Sequence, residues 1–163
     1  MTIPQSSALV DYASGAYFSD HFSIDIPYQQ ENAFDVYLCI TQQTPRWIAT
    51  LMDMRNKIVS KLGLKHLGRM QDVVVQQGQS YQPGDRLGIF TLVSCTDQEI
   101  VLEDSDKHLD VRVSFLVEPK GEMATVHATS VVHVHNAFGR LYMFFVTPFH
   151  KVIVPRSLKA LTR

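Results

Sequence analysis

Residues 99–134 read EIVLEDSDKHLDVRVSFLVEPKGEMATVHATSVVHV, and apolar and polar side chains alternate along most of this stretch. Alternation with a period of two is typical of antiparallel strands that bury one face of a sheet. Two-residue turns at Ser105–Asp106 and Lys120–Gly121 would divide the stretch into strands. A further turn at residues 136–139 would lead into another strand, 140–146. The sequence therefore predicts an antiparallel meander.

These turns place the apolar residues on one face of the predicted sheet. A one-residue slip at any turn would move a whole strand to the other face, so the agreement of three turns supports the register. The predicted apolar face comprises Ile100, Leu102, Leu109, Val111, Val113, Phe115, Val117, Ala124, Val126, Ala128, Ser130, Val132, Val134, Leu141, Met143 and Phe145.

One strand and two helices are predicted ahead of the meander. The strand lies within residues 16–26 and ends at Pro27. Asn32 is a suitable N-cap for the first helix. The second helix begins at Thr44–Pro45 and is closed by Gly63, because Pro is favoured at the first helical position and Gly just beyond the last. Residues 72–76 are a candidate short strand, and residues 82–85 a turn.

A last helix is predicted to begin at Pro148, with Thr147 as its N-cap. The alternative, one continuous helix over residues 138–154, would place Pro148 in the helix interior at a cost of about 3 kcal/mol. The segment from Pro148 to the end contains four basic residues and no acidic residue. We interpret it as a terminal helix docked on an acidic body, with binding to a membrane surface as the alternative.

The chain has 163 residues, of which 45% are hydrophobic and 19% charged, and its formal net charge is −1. This composition fits one globular domain over residues 1–163, with an ordered core from about residue 12, and excludes a disordered chain. Most nucleic-acid binders are more basic. Cys39 and Cys95 are too few for a disulfide scaffold, and the sequence contains neither a signal peptide nor a spanning apolar run. We therefore expect a cytoplasmic protein that neither binds nucleic acid nor inserts into a membrane.

Four short stretches in combination resemble one protein family. They are Pro45–Trp47 ahead of an Arg55-bearing helix, Asp106–Arg112, Asn136–Tyr142 and Pro148–Ile153. In these stretches the chain resembles the bacterial domain-of-unknown-function 2867 family, over nearly its whole length from about residue 12. The resemblance implies an α+β helix-grip fold of the START and birch-pollen-allergen superfamily, with a curved antiparallel sheet around a C-terminal helix and two short helices after the first strand. It implies no established activity.

The face opposite the apolar one collects titratable side chains in the predicted registers. One cross-strand row would contain Glu103, His108, His133 and Tyr142, and the neighbouring rows would add Asp110 and Arg112. A histidine beside a carboxylate suits general acid–base catalysis, and an arginine can hold an anionic group. The alternative is a surface network without a function, since solvent-facing strands are ordinarily polar. The candidate catalytic residues are Glu103, His108, Asp110, Arg112, His133 and Tyr142.

The apolar face suggests a different kind of site, because Ala124, Ala128 and Ser130 are small residues in the middle of a sheet that faces helices. Small residues there either admit a helix closely or leave a cavity for an apolar ligand. The alternative is a filled core. The candidate ligand-binding residues are Trp47, Met52, Val113, Ala128, Met143, Phe149 and Ile153.

No resident metal or cofactor is expected. The stretch Asp104–Asp110 resembles a calcium loop, but Leu109 stands where that loop needs glycine and Phe115 where it needs glutamate. A zinc or iron site of His108, Asp110 and His133 would have suitable ligand types but lacks a supporting motif. The chain also contains no phosphate-binding glycine loop.

A homo-oligomer, or a module that binds another protein, is expected from apolar residues on the predicted polar face. Such a surface is too apolar for a monomer to leave exposed to water. The residues concerned are Phe90, Leu92, Leu116, Val131, Phe144 and Val146.

Overall fold

The computed structural model describes residues 2–43, 46–50, 53 and 81–162, and this part of the chain is built around one antiparallel sheet. The elements are β1 (Phe18–Pro27), α1 (Ala33–Gln42), β2 (Arg86–Leu87), β3 (Phe90–Cys95), β4 (Glu99–Ser105), β5 (Leu109–Lys120), β6 (Met123–Val134), α2 (Ala137–Leu158) and a 3-10 helix (Lys159–Thr162). The strand order is β1-β6-β5-β4-β3-β2. The fold is α+β with a curved sheet, as predicted, and is consistent with a helix-grip arrangement.

The first strand and first helix lie where the sequence predicts them. Asn32 caps α1: its side chain accepts a hydrogen bond from the Asp35 amide at 2.9 Å, and the Asp35 carboxylate accepts one from the Asn32 amide at 3.3 Å. This reciprocal capping box satisfies two amides that the helix start would otherwise leave without partners. The predicted turn at residues 82–85 is also present, closed by a bond of 3.0 Å from the Asp85 amide to the Gln82 carbonyl.

The predicted second helix lies mostly outside the described residues. Residues 46–50 and 53 are helical, in agreement with it. Thr44, Pro45, Met52 and Gly63 lie outside the described part of the chain, and so does the candidate strand at residues 72–76.

The registers of the meander differ from the predicted ones by an even number of residues. Glu103 pairs with Arg112 and not with His108, because the β4–β5 loop is longer than two residues. The Asp106 side chain builds this loop by accepting bonds from the amides of His108 at 2.6 Å and Leu109 at 3.1 Å. An even shift leaves each side chain on its predicted face, because side chains alternate with a period of two.

The predicted strand over residues 140–146 is wrong, and so is the predicted helix start at Pro148. Residues 137–158 form the continuous helix α2, with Asn136 as N-cap accepting a bond from the Gly139 amide at 3.0 Å. Gly139 serves the close approach of α2 to the sheet, since a Cβ there would meet the His108 carbonyl oxygen and lie 2.9 Å from Val134 Cγ1. Pro148 and Pro155 are both inside the helix. The position beside β6 is taken by β1, in which Phe18 pairs with Val132.

The two faces of the sheet have different coverings. The helix-side face, which carries Leu102, Val113 and Ala128, packs against α1 and α2. The N-segment face, which carries Val101 and Val131, packs against residues 2–16, the N-terminal segment. Phe90 and Leu92 were predicted on this second face, but a register shift between Leu92 and Ser94 places them in the helix-side core.

Candidate functional site

The N-terminal segment is anchored to the N-segment face by the buried carboxylate of Glu99. Oε1 accepts hydrogen bonds from the hydroxyl of Ser7 at 2.7 Å and from that of Ser114, and Oε2 accepts one from the Ala8 amide at 2.9 Å. Next to this anchor, Leu9 packs on Val101 and Val131, and its exposed fraction is 1%. No element was predicted for these residues. The short apolar run Ala8–Val10 was the available signal.

Four of the six predicted catalytic residues meet on the N-segment face, around Tyr12 of the N-terminal segment. The Arg112 guanidinium lies 4.0 Å above the Tyr12 ring and forms an ion pair of 2.8 Å with Glu103. His133 Nε2 donates to the Tyr12 carbonyl at 2.8 Å. Asp110 is the cross-strand partner of His133. These residues therefore hold the end of the N-terminal segment against the sheet.

Asp110 belongs to the same cluster and lines an open pocket of about 660 Å³. Its carboxylate accepts hydrogen bonds from His135 Nε2 at 2.9 Å and from the Ser105 hydroxyl. Burial raises the pKa of the neighbouring Tyr12 hydroxyl; Asp110 and Glu103 raise it further, while Arg112 opposes them. Tyr12 therefore stays protonated at neutral pH. The pocket is lined by Asp11, Tyr12, Ser14, Gly15, Tyr17, Asp110, His133, Val134, His135 and Arg140.

The remaining two predicted catalytic residues lie elsewhere, which corrects the predicted cross-strand row. His108 is in the β4–β5 loop, where its Nδ1 lies 3.0 Å from the Asn136 amide nitrogen and its ring packs on Phe138 at 4.8 Å. Tyr142 is on α2, beside the cluster that contains Met143. Tyr142 was predicted in the row because residues 140–146 were expected to form a strand, and His108 because the β4–β5 turn was expected to have only two residues.

A histidine pair that the sequence does not predict lies on the N-segment face. His21 of β1 and His127 of β6 stack, with His21 Nε2 2.9 Å from His127 Nδ1, and His127 Nε2 lies 3.2 Å from Glu118 Oε2. Burial lowers the pKa of His21, and His127 lowers it further. A hydrogen bond from Ser6 lowers the pKa of Glu118, and His127 adds to this. Pairing β1 with β6 creates the cluster, and that pairing was not predicted.

The predicted ligand-binding residues are distributed over the helix-side face and α2. Ala128 and Met143 are buried, whereas Val113 and Ile153 are half-buried. Trp47 and Phe149 are exposed, with the Arg156 guanidinium 5.6 Å above the Trp47 ring. Met52 lies outside the described residues. Val113 and Ala128 thus belong to the core around α1, Met143 packs with Leu109 and Val132, and Ile153 is half-buried on α2.

The described core on the helix-side face falls into two separate clusters. One cluster combines residues of α1 with residues of all six strands. Its Ile100 and Val126 are fully buried. The other cluster contains Leu109 of β5, Val132 of β6 and Met143 of α2. Val111 and Val113, which follow one another on this face of β5, are only half-buried and pack against different clusters. The two clusters therefore meet at Val111 and Val113.

Comparison with known proteins identifies one family. The family described as "Protein of unknown function (DUF2867)" matches residues 12–157, nearly the whole chain. No curated protein matches the sequence. Among the described residues, no helix is long and apolar enough to cross a membrane, and no three His, Cys, Asp or Glu side chains converge as metal ligands would.

Proposed function

The chain belongs to this family of proteins of unknown function, and we propose that it binds a small apolar molecule between the helix-side face of the sheet and α2. The observation that supports the proposal is the division of the core into two clusters with half-buried Val111 and Val113 between them. Residues in the middle of a sheet that faces helices are ordinarily the most buried of all. A bound apolar ligand would cover them.

The residues around the junction are mostly apolar, and those of β6 are small. Val113 pairs with Ser130, and the neighbouring pair is Phe115 with Ala128, so small side chains of β6 stand beside larger ones of β5. Val154 of α2 is half-buried and packs against the helix-side core, and its neighbour Ile153 is half-buried as well. The surroundings are apolar apart from a few polar groups, a composition typical of small-molecule sites.

Acid–base catalysis by the polar cluster stays a prediction, with less support from the geometry. Glu103 is paired with Arg112, Asp110 with His135, and His133 with the Tyr12 carbonyl. The hydrogen-bonding groups of these side chains are thus already paired. Through Tyr12, Arg112 and His133 hold the N-terminal segment. A catalytic role would require activity to disappear in Asp110→Asn or His133→Gln while the fold persists.

The binding proposal is tested with the fluorescent apolar probe 1-aminoanthracene and the full-length chain. We expect saturable binding by the wild type and at least tenfold weaker binding by Val113→Trp, because an indole at position 113 would fill the junction. The control is Val152→Trp, the same substitution at an exposed position of α2. It should bind the probe as the wild type does.

Two results would contradict the proposal. One is the absence of saturable probe binding by the folded wild type. The other is equal binding by Val113→Trp and Val152→Trp, which would place the probe on another surface. Circular dichroism of both variants establishes whether they are folded, and Ala128→Trp provides a second filled variant on β6.

We also propose that the protein self-associates through the outward side of α2. The exposed fraction of Phe144 is 72% and that of Phe145 is 61%. Together with Leu141, Phe149 and Val152 they form a stripe of on the order of 500 Å² of apolar surface. A stable interface buries about 800 Å² on each partner, so pairing with a second copy would obtain much of its area from this stripe.

Sedimentation velocity tests this second proposal. We expect a dimer of the wild type that Phe144→Ser/Phe145→Ser converts to monomer. Met123→Ser changes an exposed apolar residue elsewhere and should leave the dimer intact. A wild-type chain that remains monomeric at about 100 μM would contradict self-association, since specific complexes are typically tighter than this.

A further inference from the structure

Three polar side chains meet on the helix-side face at the junction of the two clusters. Asp20 of β1 and Ser130 of β6 are cross-strand partners, and His150 of α2 lies above them. His150 Nδ1 is 2.9 Å from Asp20 Oδ2, and His150 Nε2 is 3.3 Å from Ser130 Oγ. Ser130 is buried, and the exposed side-chain fractions of His150 and Asp20 are 25% and 11%.

The hydrogen bonds fix which nitrogen of His150 carries the proton. A carboxylate only accepts hydrogen bonds, so Nδ1 must donate to Asp20. In the neutral ring Nε2 then has a lone pair directed at the Ser130 hydroxyl. This is the tautomer in which a histidine can accept a proton from serine, with the aspartate orienting the ring.

The position of Ser130 connects this triad to the proposed ligand site. Ser130 is directly opposite Val113, the half-buried residue at the junction. The Phe18 ring meets the His150 ring edge-on at 6.0 Å and adds to the apolar surroundings. Exclusion of water strengthens the interaction of His150 with Asp20.

We propose that Ser130 is an acylatable nucleophile, that His150 is its general base, and that the substrate is an ester of an apolar carboxylic acid. The inference rests on the proposed function for the placement of the acyl chain beside Val113. Ser130 and His150 are the catalytic residues. Asp20 is a positioning residue, because it acts through His150 and touches no reacting atom.

The chemistry needs only water as a second reactant. Ser130 Oγ forms a bond to the ester carbonyl carbon as its proton passes to His150 Nε2. The bond from that carbon to the alcohol oxygen breaks, and the alcohol leaves with the proton from His150. A water molecule then gives a proton to His150 Nε2 as its oxygen forms a bond to the acyl carbon. The bond from that carbon to Ser130 Oγ breaks, Oγ takes the proton back from His150, and the carboxylic acid leaves.

A purely structural triad would also pin α2 to the sheet, and one feature argues for more than that. The Asp20–His150 pair alone would hold α2 to the sheet. A hydroxyl at the remaining nitrogen of the same histidine adds a nucleophile beside a base, which a pin does not need.

The test uses the full-length chain, 4-nitrophenyl hexanoate and a fluorophosphonate probe. We expect a burst of one nitrophenolate per chain and a phosphonate adduct that peptide mass spectrometry locates at Ser130. Ser130→Ala should abolish both signals, and His150→Gln should slow acylation about a thousandfold or more. Ser94→Ala, which changes a half-buried strand serine outside the triad, should leave both signals unchanged.

Asp20→Asn separates positioning from a structural role. A positioning residue predicts a fall in kcat of about a thousandfold with little change in KM, because the wrong tautomer of His150 is held. A structural residue would instead lower the melting temperature and leave acylation per folded chain unchanged, which would overturn the assignment.

The outcomes distinguish this inference from the ligand proposal. Saturable 1-aminoanthracene binding without an adduct at Ser130 would refute the triad and leave the apolar site standing. An adduct at Ser130 that forms as fast in His150→Gln as in the wild type would also refute it. Acylation of Ser130 without probe binding would support the triad and refute the apolar site.

Discussion

The two faces of the sheet are both covered by the chain, but in opposite ways. On the N-segment face, the N-terminal segment closes over Val131, whose exposed fraction is 0%, and polar side chains such as Glu99 tie the segment down. On the helix-side face, α1 and α2 leave Val111 and Val113 half-buried between two clusters. A short segment can follow a sheet closely, whereas two rigid helices leave a junction between their contacts, and this junction is where we propose that the ligand binds.

The same charge placed on each face in turn should give the largest difference in stability. Val131→Asp would bury a carboxylate in the closed core and should lower the free energy of unfolding by at least about 4 kcal/mol, or prevent folding. Val113→Asp reaches a half-buried site and should cost about 2 kcal/mol or less. Urea unfolding of the two variants measures the difference. Equal costs would contradict the contrast between the faces.

The anchor of the N-terminal segment gives the next largest effect. Glu99→Ala removes the acceptor of Ser7, Ala8 and Ser114 and should lower the free energy of unfolding by about 2–4 kcal/mol, because buried donors lose their partners. Limited proteolysis should then cut within residues 2–16. Glu122→Ala, at an exposed turn, should change stability by less than about 0.5 kcal/mol. Unchanged protease resistance of Glu99→Ala would show that other contacts hold the segment.

A smaller effect depends on pH and arises from the N-segment face. Burial and His127 lower the pKa of His21 below its ordinary value of 6.5, while Asp20 opposes them. The unfolded chain therefore takes up a proton at His21 before the folded chain does, and the free energy of unfolding falls as the pH falls below 6.5. His21→Gln should reduce this slope in urea titrations at pH 7.5 and below. An identical slope in wild type and variant would assign the pH dependence to other groups.

The sequence predicts the face of each side chain in β4, β5 and β6 but not its partner. The alternation fixes the face, and it survived the longer β4–β5 loop because the shift is even. Asp106 sets that loop length with its side chain, and Ser105–Asp106 alone fits several turns. Glu103 and Arg112 were therefore predicted on the same face, but the predicted cross-strand partner of Glu103 was His108 and the observed one is Arg112.

The start of α2 shows why the remaining topology was not predictable. Asn136 and Gly139 are favoured both in turns and at a helix start, and the local sequence does not distinguish these uses. The choice is made by tertiary contacts: Asn136 Nδ2 donates to the Lys107 carbonyl at 3.1 Å, and Gly139 admits the helix beside His108. Pro148 lowers the stability of α2, and the burial of Met143 and Leu158 against the rest of the chain offsets this loss.

Intermolecular nuclear Overhauser effects between bound 1-aminoanthracene and methyl groups of the chain test the central claim most directly, since they report which face holds the ligand. The account predicts contacts to Val111, Val113 and Ile153 and none to Val101 or Val131. Contacts to Val101 or Val131, or only to Leu141 and Val152 on the outward side of α2, would contradict it.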